Sequence, residues 1–389
     1  MDDRATPERF GRIPDDRITR RELLRRGTAV GLLVVTGPAA LAACSSGTGP
    51  ASSAPAGGSS SAPAGGSGAG GAPVTLTFVS YGGAYQAAQS KGWLAPYMKA
   101  NPNVQIVEDQ PTDYAKIQAM VQAGNVTWDV ADVGNDFGLS RNADILEPLD
   151  CSVVPCADFP QQFVGTYRIA DIIYGVVMAY RTDKFAAGSE PQGWADFFDL
   201  AKFPGKRGLW KFASGGVFEF ALVADGVDPT KLYPLDIDRA IRKLDTIKSS
   251  IVWWDTGAQS AQLLSSGEVT IGHSWNGRVY DIQHQGTPVK IQWNQAFQTA
   301  DYLVVPKGGK NTAEAMKLIA YCTSAEHNAA VSYYIAYAPP NPKAVDKVDP
   351  TKTNDLATTY TDKALFFDDE WWDKNFKTVD QRFQVWLTA

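Results

Sequence analysis

The sequence predicts an α/β protein built from two lobes, and three observations support this. Beyond residue 73 the chain alternates between strand-like and helix-like segments, which is typical of sheets whose parallel strands are joined by crossover helices. Residues 74–389 exceed the size at which one core usually divides, so two lobes are expected. Hydrophobic residues make up 44% of the chain and aromatic residues 11%, enough to fill two cores.

The first unit begins with residues 74–80, which alternate between apolar and polar side chains as a strand does. The run YGGAY at 81–85 breaks this strand. The remaining elements, in order, are a helix over 87–101, a strand over 104–107, a helix over 114–123 and a strand over 126–133 that runs into the polar turn 134–136.

A third apolar block, residues 172–180, leads into a second unit from residue 181 onward. Its predicted elements are helices over 217–224, 238–248 and 257–265, a strand over 251–255 and the stretch 269–277. A strand over 302–306 and a helix from residue 312 follow. We therefore expect two α/β units joined by more than one crossing strand.

The amino terminus predicts export and lipidation. Arg20 and Arg21 precede a short apolar segment that ends in LAAC at 41–44, which resembles a twin-arginine signal followed by a lipobox. Residues 1–43 would be removed, and Cys44 would carry lipid on the outer face of the cell membrane. A transmembrane anchor is the alternative, but residues 27–43 are at the lower limit of a span.

Residues 44–73 comprise this cysteine and a stretch of almost only Ser, Gly, Ala and Pro. With no charge and no large apolar side chain, the stretch has nothing to offset the entropy cost of ordering. It is predicted to be a flexible tether.

The net charge of the chain is −6, and no basic run occurs beyond residue 43, so nucleic acid is not expected as a partner. Cys151 and Cys156 could form a disulfide in an oxidising compartment or remain buried thiols. Cys322 lies in an apolar helical stretch and is expected in a core. The three histidines match no known metal-ligand spacing, so neither a metal nor a cofactor is expected.

Several short motifs are ordered along residues 81–341. They are YGGAY at 81–85, YRTDKF at 180–185, QSAQLLSSGE at 259–268, WNG at 275–277, GTP at 286–288, DYLVVP at 301–306 and YAPPN at 337–341. As an ordered set they resemble a known family, the extracellular solute-binding proteins of ABC importers, in particular the polyamine-receptor-like group.

The resemblance implies a two-lobed clamp of the type II periplasmic-binding-protein fold, each lobe a central sheet flanked by helices. One lobe would contain residues 74–180 and 302–345, and the other residues 181–301 and 346–389. The clamp would close around a small solute and present it to the subunits of an ABC permease. We expect a monomer that is not an enzyme.

The cleft residues follow from the family motifs and from the expected carboxyl ends of the strands. Aromatic side chains would attract an ammonium group by cation–π interaction, and Asp301 matches the cation-binding aspartate of the family. The candidates are Tyr81, Gly82, Gly83, Tyr85, Asn135, Asp136, Trp254, Asp255, Trp275, Asn276, Asp301 and Tyr337. For the aromatic candidates and Asp301, a role in core packing or in a turn is the alternative. For Trp254, Asp255, Asn135 and Asp136, a position outside the cleft is equally open.

The sequence differs from the polyamine receptors at the positions that bind the second ammonium group of a polyamine. Ala213 and Gly216 align with an acidic pair of those receptors, and Thr299 replaces an aromatic residue. A long polyamine would bury an unpaired ammonium, which costs several kcal/mol. The sequence therefore favours a smaller amine, an amino acid-like compound or a quaternary ammonium solute over spermidine.

Two other functions remain open at this stage. Tyr333 and Tyr334 resemble the adjacent tyrosines of ferric-ion receptors of the same fold. An anchored hydrolase is the second, although the usual nucleophile and metal motifs are missing. The aromatic and acidic segment 366–372 is expected to begin a helix packed on the second lobe, with a ligand contact from Trp371 or Trp372 as the alternative.

Overall fold

A computed structural model describes residues 72–389. The predicted export signal, the lipidation of Cys44 and the tether through residue 71 lie outside these residues. Among the helices from residue 72 onward, none combines the length and apolar character that a membrane span requires.

Nine strands occur in this part of the chain. They are β1 (Val74–Val79), β2 (Val104–Asp109), β3 (Val130–Val133), β4 (Ile169–Arg181), β5 (Arg207–Trp210), β6 (Ile251–Trp254), β7 (Ile271–Trp275), β8 (Val289–Val304) and β9 (Leu365–Phe366).

Ten α-helices accompany the strands in residues 72–389. They are α1 (Gly83–Gln89), α2 (Ala95–Ala100), α3 (Tyr114–Gln122), α4 (Trp194–Phe198), α5 (Phe218–Ala224), α6 (Ile237–Asp245), α7 (Gly257–Ser266), α8 (Asn276–His284), α9 (Thr312–Thr323) and α10 (Asp369–Thr388). One turn of π-helix, Ser90–Leu94, joins α1 to α2.

The strands form one sheet in the order β2-β1-β3-β8-β4-β7-β5-β6, with β9 beside β8. The two central strands, β4 and β8, are long and antiparallel. At one end β8 pairs with β3, and at the other β4 pairs with β7. We call β1–β3 with their helices the first lobe and β5–β7 with theirs the second lobe. The predicted two-lobed α/β fold with crossing strands is confirmed, and the residue boundaries of the lobes stay a prediction.

The local predictions differ from the structure in three places. The strand predicted over 126–133 is shorter, since only β3 is extended. Residues 289–297 belong to β8, which the sequence pattern does not indicate because most of their side chains are only partly buried. The helix predicted over 87–101 begins earlier, at Gly83, and the π-helical turn Ser90–Leu94 divides it into α1 and α2.

The core of the second lobe is built from aromatic rings. Trp194 and Phe220 stack with centroids 3.7 Å apart, and both are fully or almost fully buried. Beside them lies the buried Arg207, whose guanidinium donates to the carbonyl oxygens of Phe197 and Phe203. These backbone acceptors satisfy the guanidinium, while burial lowers its pKa to about 10.

The carboxyl-terminal helix α10 packs on the second lobe. Asp368 accepts from the amide of Trp371 at 2.8 Å and so caps the helix. The buried indole of Trp372 donates to Glu219 Oε1 at 2.9 Å, and Phe383 packs edge-on against Phe218. The segment 366–372 thus starts a helix on this lobe, as the sequence predicts.

The cysteines lie in two environments. Cys151 and Cys156 are joined by a disulfide with an S–S distance of 2.06 Å. Cys322 is a free, buried thiol on α9, in the core where the sequence places it.

Candidate ligand-binding cleft

A cavity with an atom-free volume of about 490 Å³ lies where the two lobes meet. Loops after β1, β3 and β5, the junction of β7 with α8, and the middle of β4 and β8 all contribute to it. Its lining residues are Tyr81, Tyr85, Tyr114, Gly134, Asn135, Asp136, Tyr174, Trp210, Phe212, Ser214, Trp275, Arg278, Asp301 and Tyr337.

Seven of the residues predicted from the sequence line this cavity. They come from sequence positions more than 250 residues apart and are Tyr81, Tyr85, Asn135, Asp136, Trp275, Asp301 and Tyr337. Their roles as ligand contacts stay predictions, but the fold brings them to one place.

Gly82 and Gly83 lie beside the cavity rather than in its lining. Both have positive φ angles, 67° and 61°, which glycine adopts without strain. A Cβ on Gly83 would lie 2.8 Å from Nη1 of Arg278. Glycine at this position therefore allows a cationic side chain of the second lobe to approach the backbone of the first.

Three further candidates do not line the cavity. Trp254 is buried behind it and stacks on Trp210, with ring centroids 5.6 Å apart. Asp255 is exposed. The side-chain amide of Asn276 is buried and binds the backbone at Gly175 and Ala336. Trp254 and Asn276 thus support the residues around the cleft, whereas Asp255 faces solvent.

Two acidic side chains form one side of the cavity. Asp301 lies on β8 opposite Ile172, and burial raises its pKa well above the usual value, with Asp171 and Asp136 adding to the effect. Asp136 follows β3 and accepts from Tyr114 at 3.1 Å and from Ser214 at 3.3 Å. Both carboxyl groups would gain from an ammonium group placed beside them.

A second pair of buried acids lies behind Tyr85. Asp132 and Asp171 share the side-chain amide of Gln89, whose Nε2 is 2.5 Å from Asp132 Oδ2 and 3.4 Å from Asp171 Oδ2. Tyr85 donates to Asp171 at 3.1 Å. Burial raises the pKa of Asp171 to about 7. Further carboxyl groups therefore lie next to the cavity, and in their ionised form they would favour a cation there.

Arg278 brings a positive charge to the cavity, opposite in sign to the carboxylates of Asp301 and Asp136. The sequence patterns did not indicate this residue. It lies on α8 and is 4% exposed, and its Nη2 donates to the carbonyl oxygen of Gly82 at 3.0 Å. Its Nε has no hydrogen-bond partner in residues 72–389. Because a buried charge is costly unless it is paired, the guanidinium is suited to an anionic group of a ligand.

Aromatic rings form the remaining wall. Tyr337 lies edge-on to Tyr85 with centroids 5.3 Å apart, and Trp275 lies edge-on to Trp210 at 5.3 Å. Burial raises the pKa of Tyr81, Tyr85 and Tyr337. The tyrosine hydroxyl groups therefore remain protonated and can donate hydrogen bonds.

Seven lining residues were missed: Tyr114, Gly134, Tyr174, Trp210, Phe212, Ser214 and Arg278. Arg278 directly follows the WNG motif, and Gly134 directly precedes the predicted Asn135, so proximity to a motif was the available signal. Trp210 ends β5 and Phe212 lies two residues beyond it, in an aromatic stretch that fits a core equally well. Ser214 directly follows Ala213, which aligns with an acidic position of the polyamine receptors, so proximity was a signal there too.

The residues behind the other sequence hypotheses lie elsewhere. Tyr333 and Tyr334 are 54% and 49% exposed and do not line the cavity. Trp371 packs on Tyr233, and Trp372 is buried against Glu219. The aromatic segment at the start of α10 therefore contributes to the second lobe rather than to the cavity.

The fold and the cleft together define a class, the two-lobed receptors that enclose a small solute. The chain belongs to the bacterial extracellular solute-binding proteins, since the model of that family matches residues 92–358. These proteins serve ABC transporters and are not enzymes.

Several relatives are named or titled for the small solute that they bind. The gamma-aminobutyric acid-binding protein of Pseudomonas aeruginosa PAO1 is 35% identical over 335 residues, which are 80% of this chain and 90% of that protein. A solved GABA receptor is 42% identical, with a TM-score of 0.74 over 81% of this chain and 98% of that chain. The protein AgtB of A. tumefaciens R10, solved with agropinic acid, is 33% identical, with a TM-score of 0.75 over 81% of this chain and 99% of that chain.

Proposed function

We propose that this protein is a receptor for a small zwitterion that carries an amine at one end and a carboxylate at the other, of which gamma-aminobutyrate is the simplest candidate. The observation that carries the proposal is the presence of Asp301 and Arg278, two buried and opposite charges, in the lining of one cavity. The receptor would hand this solute to an ABC importer.

The amine would bind on the acidic side. An ammonium group beside Asp301 and Asp136 replaces the water lost on burial and relieves the repulsion between the two carboxyl groups. The faces of Trp275 and Tyr337 add cation–π attraction, worth about 0.5 to 2 kcal/mol for each ring, depending on desolvation.

The carboxylate would bind at Arg278. Its planar guanidinium offers donors that match the two oxygens of a carboxylate, and its Nε has no partner in the described part of the chain. The side chain is fixed through Gly82, so little conformational entropy would be lost on binding.

The same arginine argues against a diamine or a quaternary ammonium solute. A second ammonium group would meet the like charge of Arg278, and an apolar cation would leave the guanidinium unpaired. The names of two relatives fit this reasoning, because the protein that is 35% identical and the solved receptor that is 42% identical are both named for gamma-aminobutyrate. The spermidine/putrescine-binding protein of Escherichia coli is 28% identical over 157 residues, 40% of this chain and 44% of that protein.

The site of action follows from the sequence. We propose that the twin-arginine signal directs export, that Cys44 is lipidated and that residues 44–73 tether a monomer to the outer face of the membrane. At least two acyl chains are needed for stable anchoring. The solute would then be captured close to the permease.

Isothermal titration of the purified mature protein tests the ligand. Gamma-aminobutyrate should bind, whereas butylamine, butyrate and putrescine, each lacking one of the two opposite charges, should bind at least about 100-fold more weakly. Arg278→Gln should abolish the preference over butylamine, and Arg242→Gln, at an exposed position of α6, should leave it intact. Binding of putrescine as tight as that of gamma-aminobutyrate would refute the proposal.

A further inference from the structure

Arg141, which follows β3, and Arg168, which directly precedes β4, hold the loop that presents Asp136 to the cavity. Nη1 of Arg168 donates to the carbonyl oxygens of Asn135 at 2.5 Å and of Phe137 at 2.9 Å. Arg141 donates to the carbonyl oxygen between them, that of Asp136. Three consecutive carbonyl groups of one loop therefore depend on two guanidinium groups.

The same two arginines pair with carboxylates of the carboxyl-terminal helix, which is packed on the second lobe. Nη2 of Arg168 lies 3.0 Å from Asp369 Oδ2, and Nη1 of Arg141 lies 3.4 Å from Asp373 Oδ1. Asp369 also accepts from the side-chain amide of Asn135 at 2.7 Å. Because Asp369 and Asp373 are four residues apart on α10, they lie on the same helix face.

The ion pair between Arg168 and Asp369 is partly buried, which makes its loss costly. The side chain of Arg168 is 8% exposed, and its guanidinium lies over the ring of Tyr302, 3.9 Å from the centroid. If α10 moved away with the second lobe, Arg168 would keep its carbonyl acceptors but lose its only carboxylate partner within residues 72–389. Such a partly buried charge is costly without its partner.

We propose that Asp369 and Asp373 form a latch that, through Arg168 and Arg141, stabilises the closed clamp and fixes the loop 135–137 in its ligand-binding position. Neither carboxylate lines the cavity, so both are positioning residues that act through the arginines. The latch engages only when the lobes meet, so its free energy adds to that of the ligand in closing the cleft.

The consequence for affinity is quantitative. When only a fraction of the protein is in the competent conformation, the apparent Kd rises by the inverse of that fraction. Loss of the latch should therefore weaken binding without removing any ligand contact. A coupling of this kind usually amounts to about 5- to 150-fold, and the loss should appear mainly in the dissociation rate constant.

The latch is tested with the double variant Asp369→Asn/Asp373→Asn, using gamma-aminobutyrate as the probe. We expect its Kd to rise about 5-fold or more, chiefly through faster dissociation. Glu370→Gln is the matched control, because this residue lies on the same helical turn and is 89% exposed. A Kd and a dissociation rate constant within about twofold of wild type would overturn the proposal. If the double variant fails to fold, the single variant Asp373→Asn decides by the same criterion, with a smaller expected rise.

A second measurement is independent of the ligand, which matters because the binding test rests on the proposed function. Spin labels at Lys99→Cys and Lys231→Cys, exposed positions on opposite lobes, report the distance between the lobes in the ligand-free protein. The closed population should fall several-fold in the double variant, and equal populations would contradict the latch. If wild type binds no gamma-aminobutyrate, the proposed function fails, while this comparison still decides the inference.

Discussion

Arg278 of the second lobe donates from Nη2 to the carbonyl oxygen of Gly82 in the first lobe at 3.0 Å. This contact crosses the cleft and fixes the cationic end of the cavity. The position of the guanidinium depends on the glycine at 83, since a Cβ there would lie 2.8 Å from Nη1 of Arg278. Gly83 is therefore important for the position of the charged guanidinium of Arg278.

Gly83→Ala should therefore weaken the binding of gamma-aminobutyrate by at least about 10-fold, because the guanidinium must move away from the new methyl group. Titration calorimetry measures the change. Gly188→Ala is the matched control: its φ of 83° imposes similar backbone strain, but its Cβ would have no neighbour within 4 Å. Equal Kd values for the two variants would show that displacement of Arg278 does not weaken binding.

Binding should also depend on pH through Asp301. Burial raises the pKa of this carboxyl group, so protonation removes its charge at a higher pH than for an ordinary aspartate. The ammonium group binds the charged form, and affinity should therefore fall with decreasing pH at pH values higher than those at which an ordinary aspartate titrates. Asp171, with a pKa of about 7, adds to this fall.

Asp301→Asn serves as the test of this assignment. Its affinity for gamma-aminobutyrate at about pH 8 should be at least 10-fold lower, by an estimate of about 1.5 to 3 kcal/mol for a lost charged hydrogen bond. Its dependence on pH should be weaker than that of wild type. A pH profile of Kd that is identical in the two proteins would assign the dependence to another group.

The stability of the second lobe should depend on Glu219. Burial raises its pKa from 4.5 to about 7 in the folded state, so the folded protein binds a proton more readily than the unfolded chain. The contribution of Glu219 to the free energy of unfolding is therefore greatest below about pH 4.5. It decreases by on the order of 3 kcal/mol as the pH rises to about 7.

Chemical denaturation between about pH 5 and about pH 8 measures this effect. Glu219→Gln should lose less unfolding free energy over that range than wild type, because the amide does not ionise. Glu268→Gln, at an exposed position after α7, is the control and should follow wild type. A parallel decrease in all three proteins would exclude Glu219 as the cause.

Membrane attachment should require Cys44. In Cys44→Ala the thiol that accepts the diacylglycerol is absent, so the protein should move from the detergent phase to the aqueous phase of a Triton X-114 partition. Ser46→Ala lies two residues beyond the lipobox and should partition as wild type does. Retention of Cys44→Ala in the detergent phase would favour the alternative of a spanning anchor.

The sequence alone was sufficient for the class of fold and for part of the site. Alternating apolar patterns predict the α/β class, because the periods of strands and helices are local properties. Tyr81, Asp136 and Asp301 were found because they lie in motifs or where strands end, and parallel strands place such positions at one edge of the sheet.

The electrostatic arrangement of the cleft was decided only by the tertiary structure. In the sequence, nothing distinguishes Arg278 from other charged residues of short helices. In the structure, α8 places its side chain across the cleft from Gly82, 196 positions away. The latch joins Arg168 to Asp369 over a separation of 201 residues. Sequence periodicity cannot link positions so far apart. Their contact depends on how the crossing strands β4 and β8 position the two lobes relative to each other. The amino-acid pattern thus determined which lobes form, and their packing decided which charges face each other.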